Sequence, residues 1–195
     1  MGLSLSPIVA GMWRLREWRL DTRALARWIE QALGLGITSF DHADLYGDYG
    51  AEAAFGAALA ASPGLRGRMQ LVTKCGIKPV SPVRPSHAIK SYDSSRAHVL
   101  ASVENSLRAL ATDRIDLLLI HRPDWLAEPD ELARSFEELH RAGKVLHFGV
   151  SNHTPSQFAL LHRRFALATN QIEFSPLRLA ALSDGTLEQA LDLGL

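Results

Sequence analysis

Six short apolar runs, each followed by a helix-like stretch, constrain this chain more than any other feature. The runs are Ile8–Trp13, Thr38–His42, Met69–Cys75, Ile115–His121, Val145–Val150 and Ala168–Phe174. Helical patterns follow them at Asp21–Leu35, Gly50–Ala61, Ser94–Leu110, Asp130–Ala142, Thr154–Arg163 and Asp184–Leu193. The runs are continuous rather than alternately polar and apolar, the pattern of strands buried on both faces of a parallel sheet. Boundary signals agree. Gly34, Gly36 and Gly143 fall where helices should stop, Asp130 and Thr154 suit N-cap positions, and Pro155 suits a first helical turn.

Repeated strand–helix units joined by right-handed crossovers leave two architectures. A doubly wound open sheet that binds a dinucleotide would carry a glycine fingerprint after its first strand. Here Gly11 is followed by MWRLREW, and the pair Gly34 and Gly36 sits at a helix end. The pattern therefore predicts an α/β fold of the (β/α)8 TIM-barrel type, incomplete, with about six strand–helix units. The longest irregular stretch, Gly76–Asp93, holds Pro79, Pro82 and Pro85 and follows the third run. A loop of that length in a compact domain is more often functional than idle.

Composition narrows the function classes. Lys and Arg number 21 and Asp and Glu number 21, all scattered along the chain. No basic stripe calls for nucleic acid and no acidic tail is present. No apolar run approaches a membrane span, so no membrane partner is expected. The N-terminal MGLSLSPIVAGMWRL lacks a basic region ahead of a long apolar one, so no signal peptide is expected. Gly2 with Ser6 fits a myristoylation pattern only loosely. The single cysteine, Cys75, excludes a disulfide within the chain and fits a reducing, cytoplasmic setting.

In a barrel the carboxyl ends of the strands converge on one mouth, where chemistry sits. Asp41 and Tyr46 lie at the second run in SFDHADLYG, Lys74 at the third in LVTKCG, and His121 at the fourth in DLLLIHRPD. A free phenol, with a pKa near ~10, is a poor proton donor at neutral pH, and a nearby ammonium lowers that value. Lys74 can supply the ammonium and Asp41 can hold it. His121 can hydrogen-bond a carbonyl oxygen and orient it. Together they would protonate that oxygen as hydride reaches its carbon. Singly, each has a bland reading: an exposed tyrosine, a surface lysine, a capping aspartate. Their placement at consecutive strand ends points to one site.

Other residues draw attention. His42 and Asp44 neighbour the group, while His87, His98, His140, His147, His153 and His162 are scattered, so no metal site is expected. Cys75 reads as a packed thiol. Ser151 lacks the G-x-S-x-G elbow of serine hydrolases. Trp28 reads as core, whereas Trp13 and Trp125 lie near strand ends, where an aromatic could press on a substrate.

These segments resemble the aldo-keto reductase family, in its bacterial oxidoreductase branch. SFDHADLYG is similar to the signature that sets an Asp and a Tyr five residues apart, and VTKCG and LLLIHRPD to the Lys and His segments. GKVLHFGVSN and TNQIEFSPL match two more, so the resemblance covers nearly the whole chain. It implies a catalytic tetrad of Asp41, Tyr46, Lys74 and His121. It further implies that Ser151, Asn152 and Gln171 hold a nicotinamide carboxamide, that Met12 contributes to the cofactor site and Trp13 to the substrate pocket, and that Asn170 is structural. The implied reaction is reduction of an aldehyde or ketone to an alcohol, with hydride from NADPH, or NADH, and the proton from Tyr46.

Members of the family have eight strand–helix units. The seventh strand supplies an aromatic against the nicotinamide, the eighth unit supplies basic residues for the adenosine phosphate, and an N-terminal hairpin plugs the barrel bottom. Six units and no such hairpin are read here. Residues 1–195 are therefore expected to form a partial domain lacking the C-terminal units: a fragment, a truncated product or a partner-dependent piece. Open edges on the first and last strands should invite self-association. A non-catalytic barrel fragment acting as a binding or regulatory module stands as the alternative to a reductase.

Overall fold

The structure is a computed structural model that describes residues 2–195. Six parallel strands in the order β1-β2-β3-β6-β7-β8 curl into part of a (β/α)8 barrel. They are β1 (Val9–Gly11), β2 (Ser39–Asp41), β3 (Gln70–Cys75), β6 (Ile115–Ile120), β7 (Val145–Ser151) and β8 (Asn170–Gln171). Between them run α1 (Thr22–Gly34), α3 (Ala51–Ala61), α4 (Arg96–Ala109), α5 (Pro129–Arg141) and α6 (Pro155–His162), with α7 (Thr186–Asp192) after β8. A four-residue turn, α2 (Tyr46–Tyr49), follows β2. No helix among the described residues is long and apolar enough to cross a membrane.

Alternation of side chains along each strand divides the apolar residues into layers. Phe40 and Leu71 pack outward on Leu25 and Ile29 of α1 and Phe55 and Leu59 of α3. Leu118, Ile120, Phe148 and Val150 pack outward on Val99, Val103, Leu132, Phe136 and Phe158 from α4, α5 and α6. Phe136 stacks on Phe148 at 4.5 Å between ring centroids. Val72, Leu117 and Leu119 form a small inner layer, against which Leu3, Leu5 and Ala168 pack. Leu3 and Leu5 of the segment before β1 enter this layer. Ser6 pins the segment: its hydroxyl accepts from the backbone N–H of Thr38 and Ser39 at 3.1 and 3.0 Å.

The edge strands are shorter than their apolar runs. β1 covers three residues of Ile8–Trp13, and β8 covers two of Ala168–Phe174. Each has a ladder partner on one side only, and Ile8, Trp13 and Phe174 of these runs are exposed, Ile8 at 66%. Helix α5 is capped by Glu128 rather than Asp130: its carboxylate accepts from the N–H of Asp130 and Glu131 at 3.1 and 2.8 Å. Pro129 explains the shift, because its missing N–H and fixed φ suit the first helical position. Ser95 caps α4, and Thr154 caps α6 as expected. The loop Gly76–Asp93 holds a small antiparallel hairpin, β4 (Ile77–Lys78) with β5 (Ser91–Tyr92).

One close approach governs how α3 seats on α4. A Cβ at Gly56 would run into the carbonyl oxygen of Ala109 and lie 2.8 Å from Leu110 Cα. In an open helical position, Gly to Ala stabilises by roughly 0.5–1 kcal/mol. Here backbone stands in the way, and overpacking costs about 1–3 kcal/mol. Gly56→Ala should therefore lower the melting temperature by several degrees, given roughly 2–4 °C per kcal/mol in a chain of this size. Calorimetry checks this, and an unchanged or raised melting temperature would show that the two helices have slack.

Candidate active site

Asp41, Lys74 and His121 share the inward face of three neighbouring strands, at or just past their carboxyl ends. Asp41 ends β2, Lys74 is the penultimate residue of β3, and His121 follows β6. The Lys74 ammonium, with its side chain only 2% exposed, donates to Asp41 Oδ2 and Oδ1 at 2.6 and 2.7 Å and to the His42 carbonyl at 2.8 Å. It lies 3.4 Å from the Tyr46 hydroxyl. The Tyr46 ring meets the His121 ring edge-on, centroids 5.8 Å apart. The ion pair expected between Asp41 and Lys74 is thus present, and all four side chains meet at one mouth.

The electrostatics differ from the simple expectation for the phenol. Burial pushes the Tyr46 pKa up to about 12, the Asp41 carboxylate adds to the rise, and Arg122 opposes it. The net shift is upward, because burial and the Asp41 carboxylate outweigh the positive charge nearby. Burial lowers the pKa of Lys74 itself, against the pull of Asp41. His121 is driven down to about 3, first by burial and then by the positive charges of Lys74 and Arg122. Its imidazole is neutral across the physiological range, and among the described residues its buried Nδ1 has no hydrogen-bond partner. A neutral imidazole, a protonated phenol and a cation held by a carboxylate can together donate hydrogen bonds to an oxygen and then a proton.

The expected nicotinamide-holding residues divide. Gln171 reaches the cluster, its Nε2 lying 3.3 Å from Asp41 Oδ1. Ser151 is buried at the end of β7, and its hydroxyl accepts from Asn152 Nδ2 at 3.0 Å. Asn152 is occupied in shaping the chain: it sits at φ +54°, and its Oδ1 accepts from the Glu173 N–H at 2.8 Å. Met12, just past β1, is fully buried among residues of α1 and α3. Trp13 and Trp125 are exposed, Trp13 at 69%. Asn170 brackets His153, accepting from its N–H at 3.2 Å and donating to its carbonyl at 2.8 Å.

Some residues near the site went unmarked in the sequence. On the outward side of β3, Thr73 donates to the buried Glu52 carboxylate at 2.6 Å. Burial raises the pKa of Glu52. Asp44 is raised to about 8, by burial first and by the charge of Glu52 second. The signal for Glu52 was a lone carboxylate in the small, apolar stretch AEAAFGAALAA. Arg122, which acts on both Tyr46 and His121, was marked only by following His121. His42 is fully buried, its ring edge-on to Phe55, and burial drives it down to about 3. Among the described residues, no three His, Cys, Asp or Glu side chains gather as metal ligands.

Asp41→Asn would leave the Lys74 ammonium buried without its counter-charge. Removing one partner of a buried ion pair costs on the order of 3–5 kcal/mol. Urea unfolding should show a loss of that order, and a loss well under 1 kcal/mol would mean that Lys74 does not depend on Asp41.

Comparison with known proteins gives the following. The profile described as Aldo/keto reductase family matches residues 7–192. Oxidoreductase YdhF of Escherichia coli (strain K12) is 53% identical over 98% of this chain and 64% of its own length. A 6-dehydroglucose reductase of Agrobacterium fabrum is 45% identical over 95% of this chain and 63% of its own. The solved structure of the glycerol dehydrogenase AKR11B4 from Gluconobacter oxydans superposes with a TM-score of 0.84 at 32% identity, over 98% of this chain and 58% of that one. The chain thus spans less than two thirds of the length of these relatives.

Proposed function

Because this chain belongs to the aldo/keto reductase family, we propose that its Asp41, Lys74, Tyr46 and His121 cluster reduces a carbonyl group, with Tyr46 as the proton donor. The observation that carries this reading is a buried ammonium 3.4 Å from a phenol that also packs against a neutral imidazole.

His121, uncharged, donates its one N–H to the carbonyl oxygen and orients it. Tyr46 stays protonated well above neutral pH, so the donor is loaded whenever a substrate arrives. The oxygen gains negative charge as the carbon is reduced, and an alkoxide is far more basic than a phenolate. The proton therefore passes from Tyr46 Oη to that oxygen. The phenolate left behind is attracted by the Lys74 ammonium, an attraction that strengthens as the charge forms and so favours the transition state over the ground state. Burial of Lys74 keeps water from screening it.

A reduced nicotinamide, NADPH or NADH, would supply the hydride when bound. The Ser151 hydroxyl and Gln171 amide, at the same end of the sheet as Tyr46, have the donor and acceptor chemistry to hold its carboxamide, with Asn152 supporting Ser151. The names of the 6-dehydroglucose and glycerol enzymes favour an aldehyde or ketone that carries hydroxyl groups as the substrate class.

In a chain extended to the length of its relatives, Tyr46→Phe should lower carbonyl-reducing turnover by on the order of 10²-fold or more, the scale of a lost general acid. Turnover within a few-fold of the parent would remove Tyr46 from the role. Residues 1–195 on their own present open edges at β1 and β8, and an open edge pairs readily with another chain. Purified alone, this chain is expected to self-associate and to show no NADPH-dependent aldehyde reduction. A monodisperse monomer in the ultracentrifuge that reduces an aldehyde would contradict both expectations.

A further inference from the structure

The turn that carries Tyr46 has an unusual backbone. Gly47, Asp48 and Tyr49 are all left-handed, at φ +59°, +55° and +62°. Left-handed residues normally occur singly and cost roughly 1–2 kcal/mol each where a Cβ is present. Asp tolerates the region better than Tyr does. Three in succession persist only where their surroundings over-determine them.

Those surroundings press from two sides. On one side Arg16 lies across Gly47 and Gly50, where a Cβ on either glycine would run into its side chain. On the other side the loop between β4 and β5 reaches the turn. Ser81 Oγ donates to Asp48 Oδ1 at 2.5 Å, the Arg84 guanidinium lies 4.8 Å over the Tyr49 ring, and the Tyr49 hydroxyl is 3.4 Å from His87 Nδ1. Ser81 is buried and also accepts from the Val83 N–H, so the contact comes from an ordered turn. The base of the loop is tied by the β4–β5 ladder and by Asp93 N–H donating to the Gly76 carbonyl at 3.0 Å.

We propose that the loop of residues 76–93 is a clamp that positions Tyr46: Ser81 and Arg84, gripping Asp48 and Tyr49, hold the left-handed turn that sets the phenol beside Lys74. Its bearing on catalysis rests on Tyr46 being the proton donor, while the clamp itself is a property of the fold. Ser81 and Arg84 are positioning residues, acting on the phenol only through the two residues they grip.

The position of Tyr46 is measurable by nuclear magnetic resonance in a chain extended to the length of its relatives, where the edge strands are covered. With tyrosine labelled by 13C at Cζ, the Tyr46 resonance is identified by its loss in Tyr46→Phe. Ser81→Ala and Arg84→Ala should each move that resonance by more than its linewidth or split it into exchanging forms. Ser81→Thr, which keeps the hydroxyl, should restore the parent position. Asp48→Asn, which keeps an acceptor and tolerates the left-handed region, should leave the resonance in place, and Asp48→Ala should move it. The far-ultraviolet dichroism of each variant checks that the barrel is intact. A Tyr46 resonance unmoved in folded Ser81→Ala, Arg84→Ala and Asp48→Ala would overturn the clamp. In an extended, active chain, Ser81→Ala should lower kcat by more than it changes KM. Full turnover in Tyr46→Phe would instead defeat the catalytic reading and leave the resonance test of the clamp standing.

Discussion

The site depends on the alternation of side chains across each parallel strand. Asp41 and Lys74 face inward while Phe40, Thr73 and Cys75 face the helices. A slip of one residue in β3 would bury the Lys74 ammonium against Glu52 and present Thr73 to the mouth. Pairing of Asp41 with Val72, and of Lys74 with Leu119, sets the stagger that lets the ammonium reach both carboxylate oxygens. An unpaired ammonium this deeply buried would be driven toward its neutral form, so the charge of Lys74 belongs to the pair.

The same burial sorts the titratable groups into roles. It holds the Tyr46 proton on and keeps His121 uncharged, while Asp41 keeps Lys74 a cation. Behind the strand, the outward carboxyls of Glu52 and Asp44 are raised in pKa by that exclusion of water. Two polar layers, one on each face of β2 and β3, therefore have opposite tasks. The inner one keeps a charge available, and the outer one hydrogen-bonds a helix to the sheet through Thr73 and Glu52.

Much of this was legible in the residues. Apolar runs such as LLLI at Leu117–Ile120 mark strands that are buried on both faces, and β6 lies where that run places it. The lengths of β1 and β8 were not legible, since an apolar run records what could pair and a ladder needs a neighbour. Pro129 marked the start of α5 more firmly than Asp130 did. The high pKa of Tyr46 could not be read, because a sequence names neighbours but not how deeply they are buried. The contacts of Ser81 and Arg84 with the Tyr46 turn were hidden for a related reason: they depend on positive backbone angles at Asp48 and Tyr49, residues that give no such signal in their spacing.

The inner layer has a bearing on the order in which these residues can pack. The outward core on α1 and α3 draws on residues no later than Leu110, so it can condense early. The outward core on α4, α5 and α6 follows once Leu167 is in place. Leu3 and Leu5 pack, with Ala168, against the inner layer of Val72, Leu117 and Leu119. Contacts so distant along the chain are slow to form, because loop closure must precede them. The segment that carries Leu3 and Leu5 is therefore expected to dock only once β3 and β6 lie side by side, which couples its seating to assembly of the sheet.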